Sequence, residues 1–102
     1  MHIQDLQAQV KEVREAQGWE DISLERRSMF LVTELGEVVQ ETLRLTEARG
    51  KQSEADLQTI RDNLGMEIYD VVWNLCDLAN LAGVDLEAAF AMKAALNRSR
   101  EW

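Results

Sequence analysis

The sequence lacks proline altogether, and its 102 residues include only five glycines, one cysteine and one histidine. Folds with many tight turns, such as β-sandwiches and β-barrels, depend on proline and glycine, so this scarcity disfavours a strand-rich fold. The lone Cys76 excludes a disulfide within the chain and a cysteine-based zinc site, and it suits the reducing cytoplasm, where we expect the protein. The lone His2 disfavours histidine-rich metal sites and Ser-His-Asp catalysis.

Long apolar runs and basic side chains are also scarce. No segment approaches the roughly 20 consecutive apolar residues of a membrane span, and the N-terminus lacks the basic-then-apolar pattern of a signal peptide. The 19 acidic side chains outnumber the 11 basic ones and give a formal charge of −8. We therefore expect neither a membrane nor a nucleic-acid polymer as partner. The length predicts a single domain over residues 1–102.

Apolar periodicity predicts four helices, at about residues 3–17, 24–48, 54–82 and 86–100. Residues that commonly cap helix N-termini precede three of them, and glycines follow three of them. The N-caps are Ser23, Ser53 and Asp85, and the glycines are Gly18, Gly50 and Gly83. The pattern also allows a break in the third helix near residues 63–65. The fold class is therefore all-α, a four-helix bundle.

The second and third helices are too long and too apolar for a small monomer. A 25-residue helix spans about 37 Å, whereas a compact chain of this length has a radius of gyration of about 13 Å. The third helix is apolar around most of its circumference, as helices in the centre of an assembly are. We expect a homo-oligomer, at least a dimer.

Two pairs of acids interrupt these apolar helices. Glu34 and Glu37 lie three residues apart on the second helix, and Glu67 and Asp70 do so on the third. Four carboxylates converging without histidine are typical of hard divalent cations, which predicts a Mg²⁺ or Mn²⁺ site. The alternative is that both pairs are solvated surface acids.

Other polar and small residues on these helices are open to two interpretations. We expect Glu41 and Asp77, one or two turns from the acid pairs, to be solvated or to support the site from outside it. Asn74 shares the face of Asp70 and Asp77 and is a candidate substrate-binding residue. Gly36 and Gly65 indicate either close helix approach near the acids or a break in the third helix.

The fourth helix carries basic and amide side chains on one side. Lys93, Asn97 and Arg100 follow one another at spacings of four and three residues, with Arg98 close by. They are candidates for binding phosphate groups that the metal does not hold. Cations near a helix C-terminus are equally ordinary partners of the helix dipole.

Three segments, in order and with suitable gaps, resemble the all-α nucleoside triphosphate pyrophosphohydrolases related to MazG. The segments are Thr33-Glu34-Leu35-Gly36-Glu37-Val38, then Glu67-Ile68-Tyr69-Asp70-Val71-Val72, then Gly83-Val84-Asp85-Leu86-Glu87 leading into Lys93-Ala94-Ala95-Leu96-Asn97-Arg98. The resemblance extends from the first helix to Arg98. The most similar members in length are the compact single-domain ones, including the dCTP pyrophosphatases.

The resemblance implies hydrolysis of a nucleoside triphosphate, dCTP or another deoxynucleotide, to the monophosphate and pyrophosphate with Mg²⁺. It assigns metal binding and catalysis to the four acids already named, and substrate contacts to Lys93 and Asn97. Trp19 matches a tryptophan that stacks on or lines the base; structurally, it could instead cap the end of the bundle. Trp73 is expected in the core or an interface. Family members are homodimers or homotetramers with sites between subunits.

The chain also departs from the family. Thr33 and Met66 stand where many members double the acid of each motif, and Asn74 stands where the dCTP-type members have tyrosine. Base specificity therefore stays open, and members acting on phosphoribosyl-ATP or dUTP are the nearest enzymatic alternatives. Outside enzymes, the alternatives are a metal-dependent nucleotide sensor without turnover and an oligomeric helical interaction module.

Overall fold

The computed structural model describes residues 2–19 and 22–100, and all regular structure in them is helical. The helices are α1 (Ile3–Gln17), α2 (Leu24–Ala48), α3 (Glu54–Ala82) and α4 (Leu86–Arg98). The all-α prediction with four helices is confirmed. The fourth helix ends at Arg98 rather than near residue 100, because Ser99 takes the cap position and its N–H bonds back to the last turn.

The predicted helix ends have the expected local chemistry. The side chains of Ser23, Ser53 and Asp85 each accept a backbone N–H from the first turn of α2, α3 and α4. Gly18 and Gly83 end α1 and α3 in the left-handed conformation, at φ of 66° and 72°, which only glycine adopts readily. These caps satisfy backbone groups that helix termini would otherwise leave unpaired.

One expectation about glycine is wrong, and another is not met within a single chain. Helix α3 runs through Gly65 without a break, so the interruption near residues 63–65 does not occur. A methyl group built on Gly36 or Gly65 would meet nothing within 4 Å, so close approach of another helix of this chain does not explain them either. Gly50 has φ 78°, but the cap of α2 is Arg49, one residue earlier.

Helices α2 and α3 form the main packing unit, and α1 lies against α3. The compact core is at the turn between α2 and α3, where Leu45, Ala48 and Leu57 are buried together. Helix α4 packs against α1 and has no buried residue of its own. No described helix is long and apolar enough to cross a membrane.

One amide joins α1 to the connection between α3 and α4. The Gln7 Nε2 group donates to Asn80 Oδ1 at 3.0 Å and to the Val84 carbonyl at 2.8 Å. Its Oε1 accepts the Leu86 N–H at 2.9 Å, while Asn80 Nδ2 donates to the Gln7 carbonyl at 3.0 Å. The first residue of α4 is therefore attached directly to α1.

The chain exposes more surface than a compact monomer of its mass. The accessible surface is 7566 Å², whereas about 5,900 Å² is typical of such a monomer. The radius of gyration is 16.8 Å against about 13 Å for a compact chain. Large apolar side chains on α2, α3 and α4 account for much of this exposure. They include Met29, Val32, Val39, Leu43, Met66, Ile68, Phe90, Met92 and Leu96.

Candidate functional site

The four predicted acids lie together between α2 and α3. One carboxylate oxygen from each of Glu34, Glu67 and Asp70 lies within 4.8 Å of the others, and all three residues are half-buried. Glu37 is more exposed and faces both Glu34 and Glu67, close enough to share a hydrogen bond with either when one is protonated. The three-residue spacing within each helix turns both pairs towards the same seam.

The pKa values of Glu34 and Glu67 are raised by their surroundings in this cluster. Burial, followed by the negative charges of Glu37 and Asp70, raises the pKa of Glu34. The pKa of Glu67 is raised first by its hydrogen bond with Glu37, then by burial and by the surrounding carboxylates. Within the described residues, the ion pairs of the structure involve none of the four acids. No ion pair within the described residues therefore neutralises the cluster.

Two oxygen atoms of this cluster are unsatisfied. Oε2 of Glu34 and Oε2 of Glu67 are buried and have no hydrogen-bond partner. Leaving buried carboxylate oxygens unpaired is costly, so such atoms indicate a missing ligand. An all-oxygen donor set without histidine or cysteine matches Mg²⁺ or Mn²⁺.

A cavity of about 420 Å³ opens beside the cluster. Glu34 and Asp70 lie in its wall, and the remaining lining is mainly aromatic. The aromatic residues are Trp19, Phe30, Tyr69 and Trp73. This volume is in the range of small-molecule sites, and the arrangement offers a flat apolar group a place next to the acid cluster.

Two tryptophans meet at this cavity. Trp19 is 51% exposed, and its ring packs edge-to-face on Trp73 with centroids 5.9 Å apart and planes at 71°. Trp73 is half-buried and lines the cavity. It is not in the core of the chain, its expected place in an interface stays a prediction, and its position in the cavity wall was not predicted. Trp19 lies where an aromatic base could stack and also covers the end of Trp73.

Asp77 is not solvated; it lies buried outside the acid cluster and contacts Arg27 of the cavity wall, in line with the second of the two expectations for this residue. It is 1% exposed, and Arg14 binds it at two points while Arg27 Nε lies 2.9 Å from its Oδ2. A carboxylate this deeply buried needs such positive partners. Glu41 is also buried rather than solvated, because it pairs with Arg44 on the next turn of α2.

Asn74 is buried and already hydrogen-bonded within the chain. Its Nδ2 donates to the Asp70 carbonyl at 2.7 Å, and its Oδ1 accepts from Arg27 Nη1 at 2.6 Å. It lines the cavity, but its amide mainly orients Arg27. Sequence reasoning missed Arg14 and Arg27. Both lie in register with apolar residues, Arg14 four after Val10 and Arg27 three before Phe30, and that register was the available signal.

The residues predicted from the fourth helix are not gathered with the acids in one chain. Lys93 is exposed, Arg100 lies beyond the end of α4, and neither lines the cavity. Asn97 is half-buried, and its Oδ1 is a buried oxygen without a hydrogen-bond partner. Because α4 packs on α1, the acids and the α4 side chains form separate surfaces of the monomer.

A larger cavity, of about 730 Å³, is lined by α1 and α3 and shares Trp19 with the first. Arg14 and Asp77 lie in its wall together with Lys11 and Asn80. Nothing in the sequence pattern pointed to it. Asp77 connects the two cavities, because it binds Arg14 in the larger one and Arg27 in the smaller one.

Comparisons of the chain with known protein families, with curated proteins and with solved structures find no match. The resemblance carried by residues 33–38, 67–72 and 83–98 therefore stays a prediction. The function has to be argued from the geometry of the acids and the cavity beside them.

Proposed function

We propose that this protein is a Mg²⁺-dependent nucleoside triphosphate pyrophosphohydrolase, similar to the compact MazG-related enzymes. The observation that carries the proposal is the junction of an acid cluster, with two unsatisfied buried oxygens, and an aromatic cavity. A nucleotide has the complementary halves: an aromatic base, and phosphates that bind proteins through divalent cations. The class of nucleotide, dCTP or another triphosphate, is left to experiment.

The residues present fit a hard divalent cation. Glu34, Glu37, Glu67 and Asp70 would hold Mg²⁺ or Mn²⁺. Such an ion supplies neutralisation of phosphate charge and a lowered pKa of bound water. Glu37, the more exposed acid, is suited to accept the proton of the water that attacks the α-phosphorus, which releases pyrophosphate. The aromatic walls, Trp19 first among them, would hold the base and exclude water from it.

We also propose that the active form is a homodimer or homotetramer. The chain exposes about 1,700 Å² more than a compact monomer of its mass, and each partner in a standard interface buries about 800 Å². Association supplies what one chain lacks, because an α4 from a second copy can bring Lys93, Asn97 and Arg100 to the phosphates. The unsatisfied Oδ1 of Asn97 supports this assignment. The buried, unpaired Cys76 suits a cytoplasmic location.

The decisive experiment incubates the protein with each ribonucleoside and deoxyribonucleoside triphosphate and Mg²⁺, then separates the products. We expect a monophosphate and pyrophosphate in equal amounts from at least one nucleotide. Glu37→Gln and Asp70→Asn should abolish turnover while helicity and oligomer size stay unchanged. Release of single phosphate, or no turnover of any nucleotide, would contradict the proposal.

The second candidate is a nucleotide sensor without turnover. Thr33 and Met66 favour it, because both are exposed beside the cluster and neither adds an acid to it. A sensor would bind Mg²⁺ and nucleotide tightly and release no product. A plain helical interaction module would bind neither.

A further inference from the structure

Arg27 lies in the same cavity as Glu34 and Asp70 but forms an ion pair with neither. Its Nε is 2.9 Å from Asp77 Oδ2, and its Nη1 donates to Asn74 Oδ1 at 2.6 Å. An arginine beside several carboxylates would ordinarily neutralise them. Here the structure keeps the guanidinium one helical turn away from the acids.

The residues that hold Arg27 form one row on α3. Asp70, Asn74 and Asp77 follow at spacings of four and three residues, so they share a face. Asp70 belongs to the acid cluster, and its carbonyl fixes the Asn74 amide at 2.7 Å. Asp77, bound also by Arg14, is fully buried and cannot move aside. The two residues that hold Arg27 thus lie about 6 Å (Asn74) and about 10 Å (Asp77) along the helix axis from Asp70.

Aromatic rings complete the enclosure. The Arg27 Cζ atom lies over the Phe30 ring at 5.8 Å and over the Trp73 ring at 5.7 Å from their centroids. Only 13% of the side chain is exposed. With two rings packed against it, the guanidinium has little room to stack on a base, and its further interactions fall to its N–H groups.

The edge of this guanidinium has donors to spare. Arginine has five N–H donors. Among the described residues only Nη1 of Arg27 forms a hydrogen bond, to Asn74 Oδ1; the buried Nε lies 2.9 Å from Asp77 Oδ2 as an ion-pair contact without a hydrogen bond, and Nη2 forms none. Because only 13% of this side chain is exposed, such donors bind anionic oxygen strongly, through charge-assisted hydrogen bonds.

We propose that Arg27 is a substrate-binding residue that donates a hydrogen bond to a phosphate oxygen of the nucleotide, with Asp77 and Asn74 as its positioning residues. The inference rests on the proposed function and names a group that this function did not include. The acids hold the cation on one side of the phosphates. Arg27 holds the phosphates from the base side, one turn further along α3. This division explains why Arg27 is kept from the acids: paired with them, it would compete with the cation.

The test compares Arg27→Gln with Arg26→Gln, the adjacent exposed arginine, so that both variants lose the same charge. The ligands are the non-hydrolysable α,β-imido analogues of the four common deoxynucleoside triphosphates, measured with Mg²⁺ by calorimetry, and the matching nucleosides. For Arg27→Gln we expect Kd of the tightest analogue to rise about 10- to 100-fold. Nucleoside binding and Mn²⁺ binding without nucleotide should not change, and Arg27→Lys should recover part of the loss. Arg26→Gln should match the wild type.

Equal affinities of Arg27→Gln and the wild type would overturn the inference, as would failure of the wild type to bind any of the analogues. An Arg27-dependent affinity without hydrolysis would sink the proposed activity alone. If circular dichroism shows that Arg27→Gln is unfolded, the contact of Arg27 with phosphate is tested on the wild-type protein instead. Phenylglyoxal modification, read by mass spectrometry, should spare Arg27 but not Arg26 when Mg²⁺ and the analogue are bound. Equal labelling of Arg27 with and without ligand would refute its contact with phosphate.

Discussion

Arg14 and Asp77 form a two-point ion pair that joins α1 to α3, with Arg14 Nε 2.7 Å from Asp77 Oδ1 and Arg14 Nη2 on Oδ2. It is the deepest polar contact among the described residues, since Asp77 is 1% exposed. Arg27 of α2 approaches the same carboxylate. One acid therefore ties three helices together, and it does so next to the candidate site.

Removing that carboxylate should destabilise the protein strongly. Asp77→Asn leaves Arg14 and Arg27 facing each other without compensation, and we expect a loss of about 3–5 kcal/mol in the free energy of unfolding. Urea unfolding at fixed protein concentration measures it. The control is Glu54→Gln, which breaks the exposed pair with Arg61 and should cost at most about 1 kcal/mol. Equal losses in the two variants would show that the buried pair contributes nothing special.

Repulsion within the acid cluster should make the metal-free protein less stable than a variant that lacks one of these charges. Glu34→Gln removes a half-buried charge that its neighbours repel, so we expect this variant to melt above the metal-free wild type. Mg²⁺ at 100 times its Kd should stabilise the wild type by about 2.7 kcal/mol and so raise its melting temperature. The melting temperature of Glu34→Gln should rise much less. Glu47→Gln, an exposed acid on the same helix, should behave as the wild type with and without Mg²⁺. A lower metal-free melting temperature for Glu34→Gln would contradict this account.

Stability without metal should fall as pH rises above the ordinary glutamate pKa of 4.5. Because the native-state pKa values of Glu34 and Glu67 are raised, the native state binds more protons than the unfolded state in this window. The stability that these raised pKa values contribute is fully present below pH 4.5. It is lost as pH rises through the native-state pKa values of Glu34 and Glu67. Urea unfolding at a series of pH values should therefore show that the free energy of unfolding of Glu34→Gln increases relative to that of the wild type as pH rises. Mg²⁺ affinity should rise over the same window, and a stability difference that does not vary with pH would be evidence against the shift.

The oligomer should depend on the exposed apolar face of α2. Val39 and Leu43, four residues apart, are 57% and 56% exposed in the single chain. The double variant Val39→Lys with Leu43→Lys should sediment as a monomer at micromolar concentration while keeping its helicity, because a buried interface does not tolerate two unpaired ammonium groups. Gln40→Lys, an exposed polar site on the same helix, should leave the oligomer intact. A monomeric wild type would be the contrary result.

Stacking at Trp19 should contribute to nucleotide affinity. Replacing its ring by Trp19→Leu should raise Kd of the bound nucleotide roughly 5- to 100-fold, whereas Trp19→Phe keeps an aromatic face and should lose less. Quenching of tryptophan fluorescence on nucleotide addition gives the measurement. If Leu and Phe at this position bind equally well, Trp19 only covers Trp73 and the base lies elsewhere.

The helices follow closely from the sequence, because their determinants are local. Ser23, Ser53 and Asp85 cap within their own first turns, and Gly18 and Gly83 end helices by their own backbone freedom. The four acids could be grouped in advance for a related reason. Two i, i+3 pairs on helices that pack together face the same seam in almost any bundle.

Contacts between distant segments were not predictable in this way. Arg14 and Asp77 are far apart in sequence, and an acid with no neighbouring base is ordinarily solvated, so the sequence left open whether Asp77 is solvated or supports the site and did not predict its ion pair. The place of Trp73 in the cavity wall was not predicted, because apolar periodicity does not distinguish a cavity wall from a core. Helical spacing places Lys93 and Asn97 on one face of α4, but it does not predict what that face contacts. The packing of α4 on α1 depends on the chain as a whole.

The attachment of Leu86 to Gln7 gives α4 the mechanics of a lever. Its 13 residues extend about 20 Å from that bearing, so a tilt of about 10° there swings the far end by about 3 Å. Lys93 and Asn97 lie on the part of α4 beyond this attachment, which is formed by the side-chain amide of Gln7 on α1. The orientation of α4 thus depends on a residue of α1. A substitution of Gln7 would change that orientation without changing any residue of α4.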